Sequence, residues 1–257
     1  MNIMLVTGTG TGVGKTVVAA AVAALASGRG ERVAVVKPAQ TGLPSGAPGD
    51  LAEIGRLAGV RDLHELARFP AALSPEAAGR LTATADPPTP SLARVAELVT
   101  TLAGDRELVL VEGAGGLLVR YAADGWTLAD LARTLGAPLL VVTSAALGTL
   151  NHTALTLEAM ERRGLRLAGG LVIGCWPPRP GLTEWCNVTD LAAVSGLPLG
   201  GALPAGLPAL AGFAAAARRF LGPEYGGGFD AEDFAATARH GLDCRYRNDR
   251  AGGRNAG

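Results

Sequence analysis

The sequence predicts an α/β fold in which a mainly parallel central sheet lies between two layers of helices. Short apolar runs rich in β-branched residues alternate with Ala- and Leu-rich stretches of helical character, and this alternation is typical of βαβ units. The runs are apolar throughout rather than at every second position, as expected of strands buried on both faces. Together these observations predict three layers with right-handed crossovers.

The predicted elements follow one another along most of the chain. Strands are predicted at residues 3–7, 32–36, 107–111, 138–143 and 167–174, with a weaker candidate at 198–203. Helices are predicted at about 15–28, 50–58, 91–103, 127–135, 149–163, 182–195 and 207–220. We predict a single domain over residues 1–222, with an irregular segment at 59–90. Residues 223–257 form a predicted C-terminal extension, with a short helix at about 230–240 and a flexible tail from 245.

The composition argues against several classes of function. The 257 residues are 48% hydrophobic and carry no formal net charge, so neither nucleic acid nor an anionic membrane is an expected partner. No apolar run is long enough to span a bilayer, and we expect no signal peptide before the first strand. Cys175, Cys186 and Cys244 have the spacing of neither a zinc site nor a redox pair, which favours a reducing, cytoplasmic location.

The glycine-rich segment VTGTGTGVGKT, from Val6 to Thr16, has the position and the ending of a phosphate-binding loop. It joins an apolar strand to an Ala-rich helix, where glycine N–H groups and a helix N-terminus can surround phosphate oxygens. Lys15 would contact the β- and γ-phosphates, and the Thr16 hydroxyl would bind Mg²⁺. Thr9 stands where the usual spacing requires a glycine, and Gly8 lies one residue earlier. The sequence therefore predicts a P-loop NTPase-like fold whose loop has one additional residue.

Ligands of open α/β sheets bind at the carboxyl ends of the strands, so residues after the other strands are also candidates. Lys37 and Thr41 follow the second strand in KPAQTG and are expected to face the same cleft as Lys15. Asp50 is either the N-cap of the next helix or a second carboxylate near Mg²⁺. Glu112 ends the third strand, like the acid of a Walker B motif, and glycines follow it in VEGAGG.

The segment ALGTLNHT, residues 146–153, follows the fourth strand and opens a long predicted helix. Gly148, Thr149 and Asn151 are compatible either with anion binding by backbone N–H groups or with ordinary helix capping. Trp176 follows the fifth strand, where it would line a pocket or serve only in packing.

Four motifs in this order, VTGTGTGVGKT, KPAQTG, VEGAGGLLV and LGTLNHT, closely resemble those of the ATP-dependent dethiobiotin synthetases over residues 1 to about 210. The additional loop residue, between Gly8 and Gly14, is a feature of that family. The resemblance implies formation of dethiobiotin, in biotin biosynthesis, from 7,8-diaminononanoate and CO₂ or bicarbonate. One amine would form a carbamate, ATP would convert it to a carbamic–phosphoric anhydride, and the second amine would close the ring.

The resemblance also implies roles for individual residues. Lys37 and Lys15 would be catalytic, and Thr16, Asp50 and Glu112 would hold Mg²⁺. Thr41 stands where the family often has serine and would contact the substrate or its carbamate. The residues expected to bind the nucleotide are Thr11, Gly12, Val13, Gly14, Lys15, Thr16, Val17, Asp50, Glu112, Gly113, Ala114, Gly115, Gly174, Cys175, Leu203, Pro204 and Ala205.

The resemblance also implies where the substrate's tail and the nucleotide base would bind. The substrate's tail carboxylate would lie at the helix start around Gly148, Leu150 and Asn151, which in this family comes from a second subunit. The resemblance therefore implies a homodimer with sites shared across the interface. Many family members read adenine with an asparagine after the fifth strand, where this chain has Gly174 and Cys175. We therefore expect backbone groups to bind the base, with weak discrimination between ATP and other nucleoside triphosphates.

Three other functions are less consistent with the sequence. Partitioning and septum-placement ATPases have a similar loop, but they carry a second lysine at the place of Gly10. Cobyrinate-type amide synthetases normally add a glutamine amidotransferase domain, for which a chain of 257 residues is too short. A nucleotide-binding module without catalysis would leave Lys37 unexplained.

Overall fold

The computed structural model of the protein describes residues 2–82 and 89–252, with side chains up to residue 242. Its strands are β1 (Ile3–Gly8), β2 (Val33–Lys37), β3 (Gln40–Thr41), β4 (Asp62–Glu65), β5 (Arg68–Phe69), β6 (Leu108–Glu112), β7 (Leu139–Thr143), β8 (Val172–Trp176) and β9 (Gly201–Pro204). Seven of these form the central sheet in the order β4-β2-β6-β1-β7-β8-β9, with parallel pairing between neighbours. Strands β3 and β5 form a separate parallel pair.

The helices between the strands are α1 (Lys15–Gly28), α2 (Asp50–Ala58), α3 (Pro75–Arg80), α4 (Leu92–Ala103), α5 (Leu128–Leu135), α6 (Thr149–Glu161), α7 (Leu182–Ser195), α8 (Phe213–Arg218) and α9 (Ala231–Gly252). None of the helices in the described part of the chain is long and apolar enough to cross a membrane.

Two hydrophobic cores lie on opposite faces of the sheet. Helices α1, α2 and α8 pack on one face, and helices α4, α5, α6, α7 and α9 contribute to the core on the other. Neighbouring strand residues alternate between the cores: Leu5 belongs to one and Val6 to the other, and both are fully buried. This burial on two faces explains the continuously apolar strands, and it confirms the predicted three-layer α/β fold.

The predicted irregular segment 59–90 is wrong in part, since it contains β4, β5 and α3. Strand β4 has the sequence DLHE and lies at the edge of the sheet, where all four residues are only partly buried. Such a polar edge strand lacks the apolar run by which the inner strands were recognised. Helix α3 begins after Ser74, whose Oγ accepts a hydrogen bond from the Ala77 N–H. Residues 83–88 of the segment lie outside the described residues.

Two helix predictions near the C-terminus also need correction. The stretch 207–220 forms a 3₁₀ turn at Leu207–Ala209 and the shorter helix α8, because Gly212 adopts a left-handed conformation that interrupts the helix. The predicted short helix at 230–240 is the 22-residue helix α9, which continues through most of the predicted tail as far as Gly252. The final residues, 253–257, lie outside the described part.

The strand order brings three of the sequence motifs together. Strand β6 lies between β2 and β1, with Val36 opposite Val111 and Val6 opposite Glu112. Because all three strands run in the same direction, their carboxyl ends meet at one edge of the sheet. The phosphate loop, Lys37 and Glu112 therefore lie side by side.

Candidate active site

The loop after β1 turns sharply into helix α1. Gly12 and Gly14 have φ angles of 76° and 97°, in the left-handed region that residues with a Cβ rarely adopt. Gly14 is the N-cap of α1, so Lys15 is the first residue of the helix. The Nζ of Lys15 donates a hydrogen bond of 2.9 Å to the Gly10 carbonyl, which folds the buried side chain back over the loop. The conformation is that expected of a phosphate-binding loop.

Strand β8 packs directly against this loop. A Cβ placed on Gly174 would lie 2.2 Å from the Val13 carbonyl oxygen, and one placed on Gly14 would lie 2.4 Å from the Gly174 carbonyl oxygen. Both separations are far shorter than any normal contact between non-bonded heavy atoms. Glycine at these two positions therefore allows backbone-to-backbone contact between the phosphate loop and the end of β8.

A buried group of charges lies beside the loop. The Nζ of Lys37 is 2.5 Å from Asp50 Oδ2 and 3.1 Å from Glu112 Oε1. It also donates a hydrogen bond of 3.3 Å to the Gly113 carbonyl. The side chains of Lys37 and Glu112 are 3% and 1% exposed, whereas that of Asp50 is 32% exposed. One ammonium therefore joins two carboxylates that are supplied by different elements, α2 and β6.

The surroundings shift the pKa values of the two lysines in opposite directions. Burial by itself lowers the pKa of Lys37, but the negative charges of Glu112 and Asp50 outweigh it and hold the pKa above its usual value. Lys37 is therefore protonated at neutral pH. For Lys15, burial is the dominant cause, and the nearby Lys37 charge adds to it, so the pKa lies below its usual value.

The oxygen atoms near Lys37 fit a magnesium ion. The Thr16 hydroxyl donates a hydrogen bond of 2.9 Å to Glu112 Oε1, while Glu112 Oε2 is buried and has no hydrogen-bond partner among the described residues. Carboxylate and hydroxyl oxygens are hard ligands of the kind that Mg²⁺ prefers, and it commonly takes only one or two carboxylates from the protein. No group of three or more His, Cys, Asp and Glu side chains arranged for a metal occurs in the described residues.

A cavity of about 700 Å³ lies over the loop and the charged group. This volume is within the range of about 300–1,000 Å³ that is typical of small-molecule sites. The cavity brings together both predicted catalytic lysines, all three predicted metal ligands and Thr41. Its described lining residues are Thr11, Gly12, Gly14, Lys15, Thr16, Val17, Lys37, Ala39, Gln40, Thr41, Gly42, Asp50, Ala72, Leu73, Ser74, Pro75, Glu112, Gly113, Ala114, Gly115 and Val119.

Several predicted contact residues are not among the residues that line this cavity. They are Val13, Gly174, Cys175, Leu203, Pro204 and Ala205 of the predicted nucleotide site, and Gly148, Leu150 and Asn151 of the predicted substrate site. Gly174 lies next to the loop, as described above, and Cys175 is exposed at the end of β8. The end of β8 joins the segment after β9 through a 2.9 Å hydrogen bond from the Ala205 N–H to the Trp176 carbonyl. These two predicted base-contact segments are thus neighbours.

The start of α6 is rigidly held but open to solvent. Its N-cap is Gly148, so Thr149 and Asn151 do not cap the helix. Instead, the buried Thr149 hydroxyl donates to the Ser144 carbonyl at 2.7 Å and lies 2.8 Å from the Thr143 hydroxyl at the end of β7. Leu147, just before the helix, is 88% exposed.

The capping role considered for Asp50 is wrong, because the N-cap of α2 is Gly49 and Asp50 is the first helical residue. Its backbone N–H donates to the side-chain oxygen of Gln40 at 2.9 Å, a contact that the sequence analysis missed. Gln40 was recognisable only as part of KPAQTG, since no pattern indicates that the chain returns to it ten residues later.

Tyr121 is a second residue that the sequence analysis missed. Its ring is fully buried and stacks on Trp126 with a centroid distance of 4.3 Å. Its hydroxyl oxygen accepts a hydrogen bond of 2.7 Å from the Ala114 N–H. Tyr121 thereby fixes the loop after Glu112, including the Gly113 carbonyl that Lys37 contacts.

Solved structures with the same architecture support the assignment of the fold. The FtsY cell division protein of Thermotoga maritima superposes with a TM-score of 0.52 at 16% identity, covering 92% of this chain and 67% of that one. The MinC:MinD cell division protein complex of Aquifex aeolicus gives a TM-score of 0.52 at 14% identity, over 84% of this chain and 86% of the matched chain. At these identities the likeness concerns the fold alone.

Sequence comparison gives the family. A family model described as an AAA domain matches residues 2–210. The ATP-dependent dethiobiotin synthetase BioD of Parafrankia sp. is 57% identical over 236 residues, covering 91% of this chain and 98% of the relative. The protein of the same name from Streptomyces coelicolor is 53% identical over 243 residues, covering 94% of this chain and 100% of the relative. The chain therefore belongs to the family of ATP-dependent dethiobiotin synthetases.

Proposed function

We propose that the cavity over the phosphate loop carries out the reaction of this family, the ATP-dependent formation of dethiobiotin from 7,8-diaminononanoate and CO₂. The observation that carries the proposal is the protonated Lys37, which is buried between two carboxylates in the same cavity as Lys15. A nucleotide-binding protein without catalysis has no need of a second buried cation beside its phosphate loop.

The reaction requires neutralisation of the phosphate charge and positioning of the reacting groups. One substrate amine adds to CO₂ and loses a proton, giving a carbamate. A carbamate oxygen attacks the γ-phosphorus of ATP, the bond to ADP breaks, and a carbamic–phosphoric anhydride forms. The second amine attacks the carbamate carbon, the C–O bond to phosphate breaks, a proton is lost, and the ring closes.

In our proposal, the two lysines contact different parts of the reacting groups. The Lys15 ammonium and the loop N–H groups bind the β- and γ-phosphates, and a phosphate offsets the cost of burying Lys15 in its charged form. The Lys37 ammonium donates to the carbamate and to the oxygens being transferred, where a preorganised charge is worth more than in water. Thr41 and Thr11 line the same cavity and supply hydroxyl groups to these oxygens.

Thr16, Asp50 and Glu112 would hold the magnesium ion that accompanies ATP. When bound, the ion supplies positive charge to the β- and γ-phosphate oxygens. The second carboxylate oxygen of Glu112 supports this assignment, because it is buried and has no partner in the part of the chain that the structure describes.

The ends of the ligands extend beyond the cavity. We place the nucleotide base against backbone groups of Gly174, Cys175 and the segment 203–205, and its weak selectivity stays a prediction. We place the substrate's tail carboxylate at the start of α6 in a partner subunit, near Gly148, Leu150 and Asn151. The exposure of this helix start and of Leu147 supports a shared interface.

Product analysis tests the proposed function. The protein is mixed with 7,8-diaminononanoate, bicarbonate, Mg²⁺ and ATP, and dethiobiotin is measured by mass spectrometry. We expect dethiobiotin, ADP and phosphate in equal amounts. Hydrolysis of ATP without dethiobiotin, by a folded protein, would contradict the proposal. Replacing ATP by CTP or GTP tests the base: a preference for ATP of a hundredfold or more would refute weak discrimination.

A further inference from the structure

The C-terminal extension folds onto the protein core beside the ends of β8 and β9. Phe229 and Ala238 are buried, at 9% and 0% exposure, and both belong to the core that includes α7. Tyr225 anchors the start of the extension, because its buried hydroxyl donates to the Gly170 carbonyl at 2.7 Å. The extension therefore contributes buried residues to the core on one face of the sheet.

Helix α9 holds Trp176 at the end of β8. The Trp176 ring lies edge-on to Phe234 of α9, with a centroid distance of 5.1 Å, and edge-on to Trp185 of α7 at 5.0 Å. The ring of Phe229 packs against the ring of Phe234, with a centroid distance of 5.3 Å. Edge-to-face aromatic pairs at these distances are attractive beyond the area that they bury.

Trp176 also connects the two segments that we assign to the nucleotide base. It follows Cys175 directly, and its carbonyl accepts the hydrogen bond from the Ala205 N–H. It is opposite Pro204 in the sheet, beyond an irregularity in the pairing of β8 with β9 that starts after Ile173. The position of the Trp176 ring therefore influences both backbone segments at once.

A cavity of about 360 Å³ lies at the same place, with Trp176, Pro204, Phe220 and Phe234 in its lining. Pro204, a predicted base contact, thus shares a cavity with three residues of α9, namely Asp233, Phe234 and Thr237. The described contacts of the phosphate loop with the rest of the sheet come from β6, β7 and β8, and none of the hydrogen bonds found for it within the described residues reaches α9.

We propose that helix α9 positions the base-binding end of the nucleotide site through the contact between Phe234 and Trp176. The inference rests on the proposed placement of the base at Gly174, Cys175 and residues 203–205. Phe234 and Trp176 are positioning residues, and the phosphates are bound independently of them.

The full chain carrying Phe234→Ala tests this proposal. The dissociation constants of ATP and of inorganic tripolyphosphate, both with Mg²⁺, are measured by calorimetry for the variant and the unchanged protein. We expect Phe234→Ala to weaken ATP binding by up to about tenfold, the value of one lost aromatic pair. Tripolyphosphate has no base, so its binding should change by less than about twofold.

Two further variants separate positioning from general destabilisation. Tyr225→Phe removes a buried hydrogen bond of the extension at the other end of β8, and it should leave both dissociation constants unchanged. Phe234→Tyr retains the ring and should restore the preference for ATP over tripolyphosphate. Should Phe234→Ala fail to fold, Phe234→Leu replaces it with the same expected result.

Other outcomes would overturn the proposed role of α9. Equal weakening of both ligands, or no weakening of either, overturns the proposed role of α9 while the base site stands. If the unchanged protein binds ATP no more tightly than tripolyphosphate, the base site itself is wrong, and the role of α9 falls with it.

Discussion

The two oxygen atoms of the Glu112 carboxylate have different surroundings. Oε1 accepts from Thr16 at 2.9 Å and from Lys37 at 3.1 Å, while Oε2 is buried without a partner in residues 2–82 and 89–252. Burying an unsatisfied carboxylate oxygen is costly unless a ligand completes it. In our proposal, Glu112 therefore contacts both Lys37 and the magnesium ion.

Glu112→Gln should weaken the response to magnesium. The amide keeps the shape of the side chain but loses the charge, so we expect the Mg²⁺ concentration for half-maximal activity to rise by at least about tenfold. The measurement is a magnesium titration of dethiobiotin formation. Glu107→Gln is the control. This exposed carboxylate pairs with Arg32, and the two residues directly precede β6 and β2, at the ends of the strands opposite the cavity. An unchanged magnesium requirement in Glu112→Gln would remove Glu112 from the metal site.

Tyr121→Phe should slow catalysis more than it affects nucleotide affinity. It removes the acceptor of the Ala114 N–H, which lowers the free energy of unfolding by about 1–3 kcal/mol and releases the Gly113 carbonyl beside Lys37. Steady-state kinetics should show a lower kcat with little change in the KM for ATP.

The control for Tyr121 is Trp126→Phe. It retains an aromatic partner but loses the hydrogen bond from Trp126 Nε1 to the Pro90 carbonyl. It should destabilise the protein to a similar degree while leaving kcat unchanged. Equal losses of kcat in both variants would indicate that Tyr121 acts only through stability.

The phosphate loop and strand β8 depend on each other for their positions. Neither could take its position if Gly14 or Gly174 carried a side chain, because each would meet the other element's backbone. The loop is thus shaped from one side by its own left-handed glycines and from the other side by a strand that follows 160 residues later in sequence. The geometry of the nucleotide site therefore depends on the packing of β8.

Gly174→Ala should disturb the phosphate loop through its contact with the end of β8. The added methyl group would lie 2.2 Å from the Val13 carbonyl oxygen, and such overpacking costs about 1–3 kcal/mol of stability. We expect weaker ATP binding by calorimetry, as well as a lower melting temperature. Gly28→Ala is the matched control, because a Cβ there meets no described atom within 4 Å and Gly28 lies at the end of α1 that is opposite the loop. Unaltered ATP binding in Gly174→Ala would show that the loop tolerates movement of β8.

We expect the complete site to need two copies of the chain. The two lysines and the three proposed metal ligands lie in one cavity, whereas the proposed carboxylate-binding residues at the start of α6 are not among its lining residues. Leu147 and Leu155, on either side of Asn151, are 88% and 57% exposed, which is unusual for large apolar residues and typical of an interface.

Mixing two inactive variants tests the shared site. Lys37→Ala and Asn151→Ala would damage different parts of the site, so a mixed dimer contains one site with both changes and one site with neither. After subunit exchange of equal amounts, we expect about a quarter of the original activity. Each variant exchanged with itself is the control. Absence of any recovery, with dimers demonstrated by analytical ultracentrifugation, would contradict sharing of the site.

The sequence predicted those features that depend on local patterns. Lys37 and Glu112 were recognisable because each follows an apolar strand, and parallel strands bring their ends together. The contact of Gln40 with Asp50 was not recognisable, since it arises from a return of the chain that no periodicity marks. Ala72 to Pro75 in the cavity lining come from a segment without apolar alternation. Polar β4 and the polar second half of α9 were missed because the prediction relied on hydrophobic runs.

Replacement of Lys37 tests whether this buried ammonium acts on the reacting groups. Dethiobiotin formation is measured for Lys37→Ala and for Lys37→Met, which retains much of the side-chain length, and ATP binding is measured by calorimetry on the same samples. We predict that product formation falls by about 100- to 1,000-fold or more while ATP affinity is largely preserved. Product formation close to that of the unchanged protein, in variants that still fold and bind ATP, would show that Lys37 does not act on the reacting groups.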